Sequence, residues 1–177
     1  RLGRWASHIV SGADELEEIV AATMRLARSG EVAAEETCAL ELAREATELA
    51  ASTRPEGQRA LWTLEIEGTD HACSGERIEL RQALRNLVVN AMDVQPEGGR
   101  VLVTVTCDAA GTCFQVEDAG PGVSAEIVDR IREPFFTTRA EGTGLGLALV
   151  HSIADLHGGE LDLDAAPSSL GGARSEE

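Results

Sequence analysis

Positive charge is scarce in this sequence. It contains 15 Lys and Arg residues against 31 Asp and Glu residues, and its formal net charge is -16 at pH 7. Nucleic-acid phosphates and anionic lipid headgroups are bound mainly by clustered Lys and Arg. The deficit therefore argues against a nucleic-acid interface and against contact with a membrane surface. A small polyanion can still bind through backbone amides, a metal ion and a few placed cations.

Long apolar runs and cysteine motifs are also missing. No apolar stretch approaches the roughly 18 residues of a membrane-spanning helix, and no signal-peptide pattern opens the chain. The cysteines lack Cys-x-x-Cys spacing and a nearby histidine pattern, which argues against a zinc site and a disulfide framework. We interpret all four as small hydrophobic residues: Cys38, Cys73, Cys107 and Cys113. These absences predict a soluble, cytoplasmic segment.

The first 29 residues carry a near-heptad apolar pattern that predicts one long helix, ending at Ser29-Gly30. Such a helix packs in a bundle or a coiled-coil dimer. His8 lies beside a core position, and we interpret it as a partly exposed helix residue. We therefore divide the chain into a helix over residues 1–29 and a domain over residues 30–177.

Through that domain, segments in which apolar residues recur with the helical period of 3.6 alternate with segments in which they recur with the strand period of 2. Helices are predicted over residues 35–52, 76–94 and 145–156, with Ser74 capping the second of these. A short helix capped by Ser124 is predicted to run to about Ile131. Alternating apolar residues predict strands near residues 62–66, 101–107, 114–118 and 161–163.

The helix predicted over residues 76–94 carries an unusual polar stripe. Three amides and a carboxylate recur at three- and four-residue steps beside an apolar seam: Gln82, Asn86, Asn90 and Asp93. A solvated helix face usually mixes Lys, Glu and Arg, and asparagine is a modest helix former. The stripe therefore indicates a ligand. An amide oxygen is a hard ligand that suits a magnesium ion carrying nucleotide phosphates.

Two later segments are also suited to a nucleotide. Asp118 continues the inward parity of its strand, and a buried carboxylate is costly unless something hydrogen-bonds to it. Gly120-Pro121-Gly122 follows and permits close backbone approach of a planar ligand, although a simple Asp-Gly turn is the alternative. Further on, Gly142-Thr143-Gly144-Leu145-Gly146-Leu147 opens an apolar helix. Free amides and the helix dipole favour an anion there.

These segments, together with Pro134-Phe135-Phe136, resemble four boxes of the catalytic ATP-binding domain of bacterial sensor histidine kinases. That domain shares a superfamily with DNA gyrase, the MutL repair protein and the ninety-kilodalton heat-shock chaperone. The similarity covers roughly residues 32–172. It implies an α/β two-layer sandwich of the Bergerat type: a mixed, largely antiparallel sheet covered on one face by helices, preceded by a long helix.

The resemblance also implies individual roles in binding ATP and Mg²⁺. Asn90 would hold the magnesium ion, Asp118 would accept a hydrogen bond from the adenine amine, and residues 136–143 would form a lid. The other residues implied to contact the nucleotide are Asn86, Asp93, Gly120, Gly122, Phe136, Thr137, Thr138, Arg139, Gly142, Thr143, Gly144, Leu145, Gly146 and Leu147.

Asn86 bears on the reaction class. The gyrase, MutL and chaperone branches place a glutamate there to activate water, and an amide cannot act as a general base. Asn86 and Asn90 are therefore the catalytic candidates for phosphoryl transfer to a protein histidine. The resemblance places that histidine upstream of Arg1, on a helical hairpin of the same or a partner subunit.

The other implied partners are a response-regulator receiver domain and a second copy of the chain, paired through the first helix. An ATP-driven conformational switch is disfavoured by Asn86, and a non-catalytic scaffold for a response regulator is disfavoured by the intact boxes. Two departures from the family pattern stand out. Asp93 occupies a position where many kinases have lysine, and the pattern supplies one strand fewer than expected before the sequence ends.

Overall fold

The structure is a computed structural model that describes residues 35–124, 126–128, 130–131, 133–139, 142–164 and 174–176. The long helix predicted over residues 1–29, and His8 with it, lies outside the described residues. Three α-helices, one 3-10 helix and seven strands are described. In chain order these are β1 (Glu35–Cys38), α1 (Ala39–Ser52), a 3-10 helix (Glu56–Leu61), β2 (Trp62–Gly68), β3 (Ala72–Gly75), α2 (Arg77–Asp93), β4 (Gly99–Cys107), β5 (Thr112–Asp118), α3 (Gly146–Leu156), β6 (Asp162–Asp164) and β7 (Arg174–Glu176).

Five of the strands form one sheet in the order β2-β4-β5-β7-β6. The β2–β4 pair is parallel, whereas β4–β5, β5–β7 and β6–β7 are antiparallel. Strands β1 and β3 form a separate antiparallel ribbon. The predicted mixed and largely antiparallel sheet is therefore confirmed.

Helix α2 is the central helix of the layer that covers this sheet, and it contacts both α1 and α3. Its apolar face and the inward residues of β4 and β5 belong to one buried cluster, which includes Leu84, Leu87, Val88, Met92, Val101, Val103, Val105, Phe114 and Val116. Burying one such side chain contributes about 1.5–3 kcal/mol. This packing fixes the position and rotation of α2, and therefore the direction of its polar stripe.

Ion pairs on the outer surface also connect α1 to α2. Glu45 accepts from Arg77 at 2.5 Å and from Arg81 at 3.2 Å. The hydrogen bond from Arg77, followed by that from Arg81, lowers the pKa of the Glu45 carboxyl. Because exposed ion pairs are typically worth only about 0–1 kcal/mol, we attribute the position of α2 to its apolar packing.

The predicted start of the first helix of the domain was wrong. Glu35–Cys38 form β1, which pairs with β3, and α1 begins at Ala39. Cys38 is the N-cap residue, and its Sγ accepts the N–H of Glu41. The ribbon partner lies more than 30 residues away in the sequence, so the local pattern contained no sign of it.

The predicted cap of α2 and the predicted short helix after Ser124 were also wrong. Ser74 lies in β3 rather than capping α2, and the N–H of Glu76 donates to Nε2 of His157 at 3.0 Å instead. Ser124 does accept the N–H of Glu126 at 3.3 Å, but residues 126–128 and 130–131 form turns rather than a helix.

The expected final strand is present, so the prediction that the pattern ends without it was wrong. Arg174–Glu176 form β7, which pairs with both β5 and β6. The Arg-Ser-Glu segment contains no apolar residue and therefore gives no period-2 signal, and its place between two other strands depends on tertiary contacts.

Candidate functional site

One cleft lies between α2, the N-terminus of α3 and the lid segment, which we define as residues 136–143. Residues 140 and 141 of the lid lie outside the described part of the chain. The cleft is lined by Asn86, Val89, Asn90, Asp93, Val94, Ile131, Phe136, Thr137, Thr138, Arg139, Gly142, Thr143, Gly144, Gly146 and Leu147.

The cleft contains most of the residues predicted to contact a nucleotide. Four predicted residues are not among those that line it: Asp118, Gly120, Gly122 and Leu145. Conversely, the apolar side chains of Val89, Val94 and Ile131 line the cleft and were not predicted. Nothing in the sequence marked these three residues as part of a binding site, because apolar residues in a helical pattern are normally assigned to the core.

Asn86 is the deepest member of the polar stripe. Its side chain is only 4% exposed, and its Nδ2 atom is buried without a hydrogen-bond partner. The Oδ1 atom accepts a long hydrogen bond of 3.5 Å from the neighbouring Arg85. A buried donor without an acceptor costs about 1–3 kcal/mol. An anionic ligand in the cleft would remove this cost, so the site fits a phosphate-bearing ligand.

Asn90 faces the N-terminus of α3 across the cleft. A Cβ added to Gly146, the first residue of α3, would lie 3.6 Å from Asn90 Nδ2 and 3.8 Å from Asn90 Oδ1. The residue before Gly146 makes no side-chain cap. The N–H of Leu145 donates to Thr143 Oγ1 at 3.3 Å. The N–H groups of the first turn of α3 and the positive end of the helix dipole are available for an anion beside the Asn90 amide.

The base of the lid is held by a contact between two predicted boxes. Gly144 has φ +68°, and its carbonyl accepts the N–H of Phe135 at 2.9 Å. A Cβ at Gly144 would approach Phe135 C to 2.5 Å, so only glycine fits. Phe136 extends from this junction into the cleft wall, with the Arg130 guanidinium 4.4 Å from its ring centroid.

Arg139 connects the lid to α2. Its backbone N–H donates to Thr137 Oγ1 at 3.1 Å, and its carbonyl accepts the N–H of Gly142 at 3.3 Å. Its guanidinium forms an ion pair with Asp93, through Nη1 and Oδ2. The other Asp93 oxygen is paired with Arg54. Sequence reasoning missed Arg54, because it belongs to the turn after α1, far from every box.

Asp118 lies directly behind the cleft wall. It is 6% exposed, as its strand parity predicted, and its Oδ1 accepts the N–H of Gly120 at 2.7 Å. A Cβ at Gly120 would lie 2.8 Å from both Asp118 Oδ1 and Val94 Cγ2. Val94 itself lines the cleft, so a side chain at position 120 would collide with both the carboxylate and the cleft wall.

Within the described residues, no group of three or more His, Cys, Asp or Glu side chains could hold a metal ion. The amide oxygens of Asn86 and Asn90 in the cleft are hard ligands of the kind that suits a magnesium ion carrying nucleotide phosphates. None of the helices in the described part of the chain is both long enough and apolar enough to cross a membrane.

The sequence matches the profile of the Histidine kinase-, DNA gyrase B-, and HSP90-like ATPase family over residues 75–176, more than half of the chain. The chain belongs to this family. The match begins just before α2 and ends in β7, so it includes all four boxes. The resemblance drawn from those boxes is thereby confirmed.

Two of the similar sequences belong to sensor proteins. The chain is 45% identical over 84 residues to sensor histidine kinase ZraS of Escherichia coli K12, covering 48% of this chain and 18% of ZraS. It is 32% identical over 168 residues to the C4-dicarboxylate transport sensor protein DctB of Rhizobium meliloti, covering 92% of this chain and 27% of DctB. The chain thus spans less than a third of the length of either relative.

Two solved structures have the same fold as this chain. The mycobacterial sensor histidine kinase MprB matches with a TM-score of 0.69 and 28% identity, over 80% of this chain and 93% of that one. Full-length ShkA, crystallised in complex with AMPPNP, matches with a TM-score of 0.75 and 25% identity, over 98% of this chain and 36% of that one. The predicted α/β sandwich is therefore confirmed, whereas the roles of single residues stay predictions.

Proposed function

We propose that this chain is the ATP-binding catalytic portion of a sensor histidine kinase. It would use Mg-ATP to phosphorylate a histidine on a separate helical hairpin. The observation that carries the proposal is the arrangement of two carboxamides, Asn86 and Asn90, opposite the N-terminus of α3 in one cleft. Family membership and the sensor-kinase relatives support it.

The phosphates are proposed to bind between α2 and α3. Backbone N–H groups of Gly146 and Leu147, at the start of α3, would donate to the phosphate oxygens, and the buried Nδ2 of Asn86 would gain the acceptor that it lacks. Asn90 would offer its Oδ1 to Mg²⁺. When bound, the magnesium ion would neutralise charge on the phosphates. The chain itself would mainly position the nucleotide.

The adenine is proposed to bind at the end of the cleft formed by Val94 and Gly120. Val94 supplies an apolar surface, and the Asp118 carboxylate lies directly behind it. Rotation of the Val94 side chain, which is 40% exposed, would bring the exocyclic amine of adenine within reach of Asp118. The backbone at Gly120 and Gly122 would then lie against the ring.

The reaction is proposed to be phosphoryl transfer rather than hydrolysis. Asn86 occupies the position at which a glutamate would activate water, and a carboxamide has no basic site for that proton. A protein nucleophile must therefore come to the cleft. We accordingly disfavour the ATP-driven conformational switch as an alternative. The partners would be a histidine-bearing hairpin, a response-regulator receiver domain and a second copy of the chain, in the cytoplasm.

The proposal predicts where phosphate will appear. The isolated chain should bind ATP but not label its own histidines. Three histidines belong to the folded domain: His71 is hydrogen-bonded to Thr112, His157 accepts the N–H of Glu76, and His151 lies on α3. A chain extended at its amino terminus by a hairpin carrying a surface His-Glu pair should acquire acid-labile, base-stable label from ATP with Mg²⁺. The matched control replaces only that hairpin histidine with glutamine and should lose the label.

Two outcomes would contradict the proposal. Label on His8 of the isolated chain would make the first helix the acceptor. Tight ATP binding with no label on the extended chain would favour a non-catalytic scaffold instead.

A further inference from the structure

A carboxylate shared by two arginines lies at the edge of the cleft. Asp93, near the end of α2, pairs through Oδ1 with Arg54 and through Oδ2 with Arg139. Asp93 and Arg139 line the cleft, whereas Arg54 does not. The side chain of Asp93 is 15% exposed, so its charge is largely removed from water. None of the four boxes predicted this three-residue cluster.

Arg54 is the fixed member of the cluster. Its guanidinium lies 5.4 Å from the ring centroid of Trp62, and its Nη2 also donates to Val89 O at 3.5 Å. Trp62 is in turn anchored by a hydrogen bond of 3.1 Å from Nε1 to Gln95 O. Stacking on a buried ring and a contact with the α2 backbone hold this cation in place.

Arg139 is the removable member. Its side chain is 43% exposed, about twice the 21% of Arg54. Among the described residues, the ion-pair partner of Arg139 is Asp93. Arg139 itself belongs to the lid segment rather than to a helix or strand. Turning it from Asp93 toward a ligand in the cleft would break one partly exposed ion pair, which costs little.

We propose that Asp93 is a positioning residue that holds Arg139 at the cleft until Arg139 pairs with the phosphates of the nucleotide. Arg54 makes this exchange of partners possible, because it stays paired with Asp93. The inference rests on the proposed ATP site. Asp93 with two guanidiniums carries a net charge of about +1. When Arg139 leaves, Arg54 still neutralises the carboxylate, so no half-buried charge is left unpaired.

This arrangement gives Arg54 an effect on phosphate binding although it does not line the cleft. Without Arg54, Arg139 would be the sole cation on Asp93 in this cluster, and its release would strand the carboxylate. The positive charge available to the phosphates would also fall. Both effects weaken binding of a triphosphate, and neither acts on adenosine, which has no phosphate.

The test compares AMPPNP with adenosine as ligands, by calorimetry in Mg²⁺ on the full chain. Arg54→Gln should lower the affinity for AMPPNP by about two- to fivefold relative to the affinity for adenosine, the range expected for a partly exposed ion pair. The double variant Arg54→Gln/Asp93→Asn should restore the unmutated ratio of AMPPNP affinity to adenosine affinity, because the charge of the cluster is again about +1. Asp93→Asn alone should raise the affinity for AMPPNP by a similar factor, because the substitution releases Arg139.

Arg59→Gln is the matched control. Arg59 is an exposed arginine that donates to the carbonyl of Arg54 at 3.1 Å, and none of its hydrogen bonds to the described residues reaches Asp93. Its loss removes the same charge nearby and should leave the AMPPNP-to-adenosine ratio unchanged. Thermal melts of every variant separate weakened binding from unfolding.

Three results would overturn the inference while leaving the ATP site intact. Equal weakening of AMPPNP and adenosine by Arg54→Gln would make Arg54 merely structural. A double variant as weak as Arg54→Gln would exclude charge exchange, and weaker AMPPNP binding by Asp93→Asn would make Asp93 itself a nucleotide ligand. If the unmutated chain does not bind AMPPNP, both this inference and the proposed function are overturned.

Discussion

Replacing Asn90 with alanine is expected to remove most of the magnesium-dependent affinity for ATP while leaving the fold intact. Asn90 faces the N-terminus of α3, and its amide lies in the cleft rather than in the apolar cluster. Loss of an outer-shell partner of a metal ligand typically costs 10- to 100-fold in metal affinity. Loss of a direct ligand should therefore weaken Mg-ATP by at least about tenfold, measured by calorimetry.

Gln82→Ala is a suitable control for that change. Gln82 belongs to the same helix and the same polar stripe, about two turns before Asn90, but it does not line the cleft. The control should bind Mg-ATP as the unmutated chain does. A folded Asn90→Ala variant with unchanged Mg-ATP affinity would show that Asn90 is not a magnesium ligand.

Replacing Asp118 with asparagine should weaken recognition of adenine. The substitution turns one acceptor oxygen into a donor that would face the donor amine of the base. Loss of a charge-assisted hydrogen bond corresponds to about 1.5–3 kcal/mol, or roughly 10- to 150-fold in affinity. The decrease should be equal for ATP and adenosine, because both carry the same amine. Calorimetry with each ligand measures it.

Glu117→Gln provides the matched control for Asp118. Glu117 is the preceding residue of β5, is 3% exposed, and points to the opposite face of the sheet. Its neutralisation should leave adenosine affinity unchanged. Because guanine presents a carbonyl where adenine presents the amine, GTP binding as tight as ATP to the unmutated chain would contradict the role assigned to Asp118.

The parts of the site that were predictable are those encoded in short segments. The stripe on α2 could be read because apolar packing on one helix face fixes where the other faces point, and Asn86 and Asn90 do line the cleft. The burial of Asp118 followed from strand parity in the same way. Gly144 belongs to the predicted glycine-rich turn, and its positive φ and its close approach to Phe135 show why a side chain is excluded there.

The missed features all depend on contacts between distant parts of the chain. β1 exists because β3 pairs with it, and β7 exists because it fits between β5 and β6. β1 (Glu-Glu-Thr-Cys) and β7 (Arg-Ser-Glu) contain almost no apolar residues, so neither carries an alternating pattern that could be recognised alone. Arg54 likewise looks like an ordinary charged residue in a turn, and only the fold brings it to Asp93, 39 residues along the chain.

The central claim is that the cleft binds Mg-ATP through the amide stripe and the N-terminus of α3. A calorimetric titration of the unmutated chain with AMPPNP, carried out with Mg²⁺ and again with a chelator, tests it most directly. We expect one site per chain, with affinity at least about tenfold weaker in the chelator, because the phosphates then lose the ion that Asn90 holds against them. Absence of binding, or the same affinity with and without Mg²⁺, would contradict the claim.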